Sequence, residues 1–424
     1  MKEFSLVRLF HQLRWRTKVA LRSLLAVGEG VIRFTPSPPK PMEGKGFAFI
    51  RLDGIGDFWL WLPFAAALKE AYPEKPFYLI ANALWADLAT ATGLFEKVIP
   101  LNPTLIRRSL SYRWRVIKEL RGELPPSEVL WQVTFSRRIV VEDWLAWGLP
   151  ATKRIAWHRD PYTAEPSFLS RWVENRLYDE LRADALPPRV HEWNRYSAWL
   201  KSLGAPELRW TIYEKVSDCF FAPSPKSYAV VLLGAGSSAR LPVAQMWEEI
   251  ISTLRQKAGL SIHLVGTLSD RKTASTLLRE GVEDWTGRLS LVEAVRHVRN
   301  ASLVVAPETG LGHIAATLGV PTIMIVGGGH WGRFIPYPSD APPFPLKVVT
   351  HFMSCFGCGW MCRYQLSQSL PYPCINRVSP REVHRWLIEW AIPLSEGKAP
   401  TQVGGLSEKD SVESSYTPLQ KGAE

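Results

Sequence analysis

Several marks of a secreted or membrane-spanning chain are missing. Cysteine is scarce, with five in 424 residues and four of those between Cys355 and Cys374. That is no disulfide framework of the kind that staples small secreted domains. No apolar run reaches the ~18 residues a bilayer-spanning helix requires, and no convincing signal peptide is present. A cytoplasmic location is therefore expected. Acidic residues are also under-represented: 40 Asp and Glu stand against 51 Lys and Arg, a formal charge of +11. So basic a chain calls for a polyanionic partner, which composition alone leaves open among nucleic acid, an anionic membrane surface and phosphorylated substrates.

What is present suits a soluble globular protein of two or three domains, since 46% of the residues are hydrophobic. The stretch Val230-Val231-Leu232-Leu233-Gly234-Ala235-Gly236-Ser237-Ser238-Ala239-Arg240-Leu241-Pro242 anchors the reading. A β-branched run ends in small residues, and an amphipathic segment from Val243 to Lys257 follows, so strand, tight turn and helix are expected. Such a turn can cradle a phosphate, because glycines admit close backbone approach and a helix N-terminus favours an anion. Arg240 adds a planar guanidinium suited to phosphate oxygens. The same stretch also reads as an ordinary loop with one surface arginine.

Residues 1–34 are basic and amphipathic, with Arg8, Arg14, Lys18 and Arg22 opposite Leu6, Leu9, Leu13 and Leu24. They read as an interfacial helix on an anionic inner-membrane surface, or as a helix docked on the protein itself. Residues 35–45 are a linker, in which Pro36, Pro38, Pro39 and Pro41 deny backbone donors to regular structure. From residue 46 to 215 strand and helix signals alternate. Strands are expected at Phe47–Ile50, Phe77–Ile80, Lys97–Pro100, Glu128–Thr134 and Lys153–Trp157, and helices from Asp57 to Tyr72, Asp87 to Gly93 and His191 to Gly204. Arg107, Arg108, Arg113, Arg115, Lys118 and Arg121 form a basic run, either a solvated helix face or a surface for an anionic acceptor. Prolines interrupt the periodicity between Glu207 and Ser227, where the two halves meet.

The alternation resumes from 226 to 376, with strands at Ser261–Gly266, Leu303–Ala306 and Pro321–Val326 and helices at Ser269–Glu280 and Leu291–Asn300. Three glycine-bearing turns, at Gly234, at Gly310 and at Gly327-Gly328-Gly329, share one sheet edge, which predicts a nucleotide site at a topological switch point. A terminal helix at 377–393 and a polar, disordered tail at 394–424 complete the chain. Alternating strands and helices of this kind predict an α/β protein with parallel sheets.

Asp57 follows Gly56 at a helix start, where an aspartate either caps the helix or faces the ligand crevice at the strand ends. Trp59 and Trp61 offer faces for a sugar ring or mass for a core. Glu308 and His313 suit ribose hydroxyls and phosphate, or helix capping. Cys355, Cys358, Cys362 and Cys374 have spacing that fits zinc or an iron–sulfur cluster, but no partner motif supports chemistry, and a structural loop is the preferred reading.

Arg51-Leu52-Asp53-Gly54-Ile55-Gly56-Asp57, the His191–Gly204 helix, the Gly-Ala-Gly…Arg240-Leu241-Pro242 loop, Asp284-Trp285-Thr286-Gly287…Leu291, and Glu308-Thr309-Gly310…His313-Ile314-Ala315-Ala316 occur in order. Over residues 46–390 this resembles the heptosyltransferase-like glycosyltransferases of family 9. The resemblance implies the GT-B fold: two facing Rossmann-like domains with parallel sheets, the first for the acceptor and the second for the nucleotide sugar. It implies Asp57 as catalytic base and Arg240 as the diphosphate residue. Gly56, Gly234, Gly236, Ser237, Glu308, Thr309, Gly310, Gly312 and His313 are the further candidate binding residues. Leu241 and Glu308 depart from the family's usual tryptophan and aspartate, which bears on nucleotide or sugar preference.

The implied donor is a nucleotide sugar such as ADP-heptose, and the implied acceptor an anionic glycolipid such as the lipopolysaccharide inner core. The protein would be peripheral on the inner face of the cytoplasmic membrane. No cofactor, metal or nucleic acid is expected. Two alternatives stand beside this: a nicotinamide-dependent dehydrogenase using Gly234-x-Gly236-x-x-Ala239, though Val265-Gly266 offers no ribose-binding carboxylate, and an inactive nucleotide-sugar-binding protein.

Overall fold

The structure is a computed structural model and describes residues 43–157, 177–182, 190–220, 228–364 and 370–395. The basic amphipathic segment, all but the end of the proline linker, and the polar tail after Ser395 lie outside the described residues.

In chain order the described elements are β1 (Phe47–Arg51), α1 (Ile55–Ala71), β2 (Phe77–Asn82), α2 (Ala86–Ala91), β3 (Lys97–Leu101), α3 (Pro103–Arg108), α4 (Leu110–Glu123), β4 (Ser127–Gln132), α5 (Trp144–Gly148), β5 (Ala151–Trp157) and β6 (Glu180–Arg182). There follow α6 (Glu192–Ser202), α7 (Ile212–Phe220), β7 (Tyr228–Leu232), α8 (Ala244–Thr253), β8 (Ser261–Val265), α9 (Arg271–Leu277), β9 (Val282–Asp284) and α10 (Leu291–Arg299). The chain continues through β10 (Leu303–Pro307), α11 (Gly310–Thr317), β11 (Thr322–Val326), β12 (Leu346–Thr350), α12 (Pro373–Asn376) and α13 (Pro380–Ser395). Each strand expected from the pattern is present within a residue or two. The weak signals of β6, β9 and β12 escaped it. Between Glu207 and Ser227, where prolines argued only for a break, α7 forms, because Tyr213, Val216 and Phe220 share one buried face.

The chain divides into two compact units. The first comprises residues up to Leu52, Lys75–Asn82 and Lys97–Ala183 and holds a sheet in the order β3-β2-β1-β4-β5-β6. All its described pairings are parallel. Alternation along β1 sends Ala48 and Ile50 into a core with Val116, Ile117 and Leu120 of α4, and Phe47 and Phe49 to an aromatic cluster with Phe77 and Trp131. A sheet buried on both faces accounts for the continuous apolar strands seen in the sequence.

The second unit takes Asp53–Glu74, Ala83–Glu96 and everything from Asp184 onward, so α1 and α2 belong with it. Its sheet runs β12-β11-β10-β7-β8-β9, also parallel. Counted from its own first strand this is the same strand order as the first sheet, with the reversal between β7 and β10, where ligands bind in open parallel sheets. Ala229, Val231 and Leu233 face a core shared with α8 and α13, while Val230 and Leu232 face α10 and α11.

Trp59 and Trp61 are fully buried. Trp59 donates to Thr317 Oγ1 at 2.7 Å and stacks on Tyr213, and Trp61 stacks on Phe95. Neither is open to a sugar ring, so both serve packing. Because Trp59 ties α1 to α11 and α7, Trp59→Ala should destabilise the fold by about 3–5 kcal/mol, the usual range for deleting a buried aromatic. Urea titration would show it, and a loss below about 1 kcal/mol would be at odds with this packing role.

Candidate active site

Two helix starts meet at the switch point of the second sheet. A Cβ built on Gly310 would lie 2.8 Å from the amide nitrogen of Gly56 and equally close to Ile55 Cβ. Only glycine lets α1 and α11 approach this closely. Their N-caps, Gly54 and Thr309, make no side-chain capping bond among the described residues. By contrast Ser290 and Glu293 close a capping box on α10. The first-turn amides and positive dipole ends of α1 and α11 are thus the pair offered to a ligand.

Gly54 is the N-cap, so Asp57 is not the capping residue that its position after a glycine suggested. It sits in the first turn of α1 with its side chain about one-fifth exposed. Its Oδ1 is 3.4 Å from an Arg333 terminal nitrogen. Arg333 in turn donates from Nε to the buried Glu192 at 2.8 Å, while its carbonyl accepts from the Glu192 amide. A cation anchored on α6 therefore holds the carboxylate at the start of α1.

Asp57 and the starts of α1 and α11 line a cavity of about 620 Å³, within the range typical of small-molecule sites. Gly56, Asp57, Gly234, Gly236, Arg240, Glu308, Thr309, Gly310 and His313 all border it. Two sequence-predicted residues do not. Ser237 caps the short turn Ser238–Arg240 through the Ala239 amide. Gly312 packs α11 on the sheet, where a Cβ would come within 3.0 Å of Met324.

The glycine loop also differs from expectation. It enters a 3-10 turn rather than a helix N-terminus, and α8 begins only at Ala244. Gly234 faces Asp270, whose Oδ2 would lie 2.8 Å from a Cβ there and would have to move aside for one. The third glycine turn holds rings rather than phosphate. Cβ atoms on Gly328 and Gly329 would strike Phe356 and Trp360, and it is His330 that reaches the cavity.

Charge is arranged in opposed sets. Arg240 lies over the Trp360 ring at 4.3 Å. Burial lowers its pKa, against the opposing pull of Glu308, Tyr372 and Asp57. Glu308 Oε1 pairs with His330 Nδ1 at 2.7 Å, not with a helix end. Arg240 Nε and Glu308 Oε2 are both buried without a hydrogen-bond partner among the described residues. A buried donor and a buried acceptor left open in one cavity are what a ligand carrying both phosphate and hydroxyl groups would satisfy.

His313 meets the Tyr337 hydroxyl at 2.9 Å. Burial drops its pKa to about 4, so it acts as a neutral imidazole. Arg333, Glu192 and His330 were not singled out as site residues from the sequence, and the pairing of Arg333 with Glu192 spans 141 residues. The His191–Gly204 segment contains Glu192, and the Gly327-Gly328-Gly329 turn runs directly into His330.

The four clustered cysteines are unpaired. Cys374 is buried against Phe356 and Ile375 and accepts from the Gly328 amide. Among the described residues no helix is long and apolar enough to cross a membrane.

Residues 201–342 match the family described as Glycosyltransferase family 9 (heptosyltransferase). Lipopolysaccharide heptosyltransferase 1 of Pseudomonas aeruginosa is 24% identical over 366 residues, covering 79% of this chain and 94% of that protein. E. coli heptosyltransferase WaaC with ADP-2-deoxy-2-fluoro heptose is similar at a TM-score of 0.58 and 18% identity, over 80% of this chain and 98% of that one. E. coli ADP-heptose lps heptosyltransferase II gives 0.58 and 16%, over 82% and 98%. With two parallel six-stranded sheets, the fold is GT-B. The dehydrogenase alternative finds no support in these matches.

His191, which accepts from the Trp193 amide and pairs with the Phe334 carbonyl, is likewise pushed by burial to about 4. Below the ordinary value near 6.5 the unfolded chain binds these protons and the native state does not, so stability present above pH 6.5 is lost as pH falls toward 4. Each buried imidazole contributes on the order of 3 kcal/mol to that loss. Melting temperature should fall across this window, and His313→Gln should flatten the slope; an unchanged slope would count against a buried neutral His313.

Proposed function

We propose that this chain, a glycosyltransferase similar to family 9, is an inverting enzyme that moves a sugar from a nucleoside diphosphate donor to an anionic glycolipid. The heptosyltransferase relatives favour a heptose, carried as ADP-heptose or a close analogue, and an acceptor such as the lipopolysaccharide inner core. The observation that carries the reading is the shared cavity. A carboxylate at one helix start faces an arginine and a second carboxylate whose buried atoms lack partners.

In the proposed reaction Asp57 takes the proton of an acceptor hydroxyl as that oxygen attacks the anomeric carbon. The bond from that carbon to the phosphate oxygen breaks, and the nucleoside diphosphate leaves with the electron pair, so configuration inverts. Charge grows on the diphosphate as the bond lengthens. Arg240 and the amides opening α1 and α11 are the groups proposed to meet it, already oriented before the reaction. Glu308 Oε2 would accept from ribose hydroxyls, and His313 would offer a neutral donor to phosphate. Arg333 would hold Asp57 toward the acceptor. Residues 46–215 are proposed as the acceptor domain and 226–376 as the nucleotide-sugar domain.

Location on the inner face of the cytoplasmic membrane is part of the proposal. Leu105, Leu110 and Trp114 are exposed beside Arg107, Arg108 and Lys118 on α3 and α4. Apolar side chains among cations suit an anionic lipid surface.

Asp57→Ala should lower turnover by about 10²–10⁴-fold, the range for a lost general base, while calorimetric binding of ADP stays unchanged. Near-normal turnover in that variant would remove Asp57 from the role. On vesicles of phosphatidylcholine with phosphatidylglycerol, Leu110→Ser with Trp114→Ala should weaken sedimentation of the full chain by about tenfold. Equal sedimentation of variant and wild type would dismiss this surface as the contact.

A further inference from the structure

The loop that carries three of the clustered cysteines delivers one tryptophan to the back of the cavity. Gly357 and Gly359 donate to the carbonyls of Gly328 and Gly329 at 2.6 and 2.9 Å, so the loop is zipped to the glycine turn after β11. Trp360, next in the chain, has φ +64. A bulky residue rarely adopts this left-handed conformation, and it persists only where the surroundings enforce it. Here the reward lies in what the ring touches.

Arg240 stands 4.3 Å over the indole face. The His330 ring meets it edge to face with centroids 5.3 Å apart, and His330 in turn holds Glu308. Tyr372 also packs on the indole, with ring centroids 5.1 Å apart. Behind the ring the backbone has made room: a Cβ on Gly329 would fall 2.1 Å from an indole carbon, and one on Gly327 would come within 3.0 Å. The two polar groups whose buried atoms are left open in the cavity thus share one buttress.

We infer that Trp360 is a positioning residue of the donor site, fixing the Arg240 guanidinium directly and the Glu308 carboxylate through His330. This rests on the donor reading above. A guanidinium held against an aromatic face keeps its planar fork in one orientation while remaining charged. The left-handed backbone at Trp360 and the glycines at 327 and 329 are the structural cost of that placement. The cysteine-bearing loop, which found no chemistry in the sequence reading, acquires a role as the carrier of this ring.

Calorimetry on the full chain with ADP, GDP and UDP tests it. The wild type should bind at least one of the three. Trp360→Ala should weaken that nucleotide by about tenfold and Trp360→Phe, which keeps an aromatic face, by less than about threefold. Trp360→Leu keeps apolar bulk without a π face and should behave as the alanine variant, which guards against a simple folding defect. In the Arg240→Ala background Trp360→Ala should cost clearly less than it does alone, because only the path through His330 to Glu308 remains. Equal binding by the wild type and either truncation, or losses that add fully in the double variant, would overturn the inference alone. Failure of the wild type to bind any of the three would bring down the donor reading and this inference together.

Discussion

Two helix N-termini pressed together at a pair of glycines set the geometry on which the site depends. Gly310 leaves no space for a β-carbon between α11 and the start of α1, where one would lie 2.8 Å from the Gly56 amide nitrogen, and the contact places Asp57 beside the loop that ends β10. Backbone amides at such starts carry partial positive charge, and two of them side by side favour negative charge before any side chain is counted. Trp59, donating to Thr317, locks the same two helices again, about one turn further along α1 and about two turns further along α11. The approach is therefore held from the core side and open on the cavity side.

Charge is the second constraint. Arg240 and two helix dipole ends bring positive charge to the cavity, and carboxylates offset it: Asp57, tied to Arg333, and Glu308, tied to His330. Each carboxylate keeps one oxygen engaged by protein. Glu308 keeps the other buried and open, a state that costs stability without a ligand and returns it on binding. Sites commonly carry such local expense where the rest of the fold can bear it.

The alternation of strands and helices was legible because parallel strands buried on both faces must be continuously apolar, and Phe47–Ile50, Val230–Leu233 and Leu303–Ala306 are. Asp57, Arg240, Glu308 and His313 were legible because each lies at the end of such a strand, within a few residues of a glycine. Arg333 was not, since its meaning comes from Glu192 and Asp57, 141 and 276 positions away. The role of Gly327-Gly328-Gly329 was misjudged for a related reason. A glycine records that something lies close, and the sequence does not say whether that is a phosphate or the Trp360 and Phe356 rings.

The sequence by itself determined that this is an α/β chain with two parallel sheets and glycine-bearing turns at strand ends, because periodicity and turn chemistry are local properties. Only the tertiary structure decided which glycines admit a helix and which admit a ring, that Trp59 and Trp61 are core, and that Arg333 stands beside Asp57. Those outcomes depend on which distant segments are forced into contact when the apolar faces are buried, and no window of sequence contains that information.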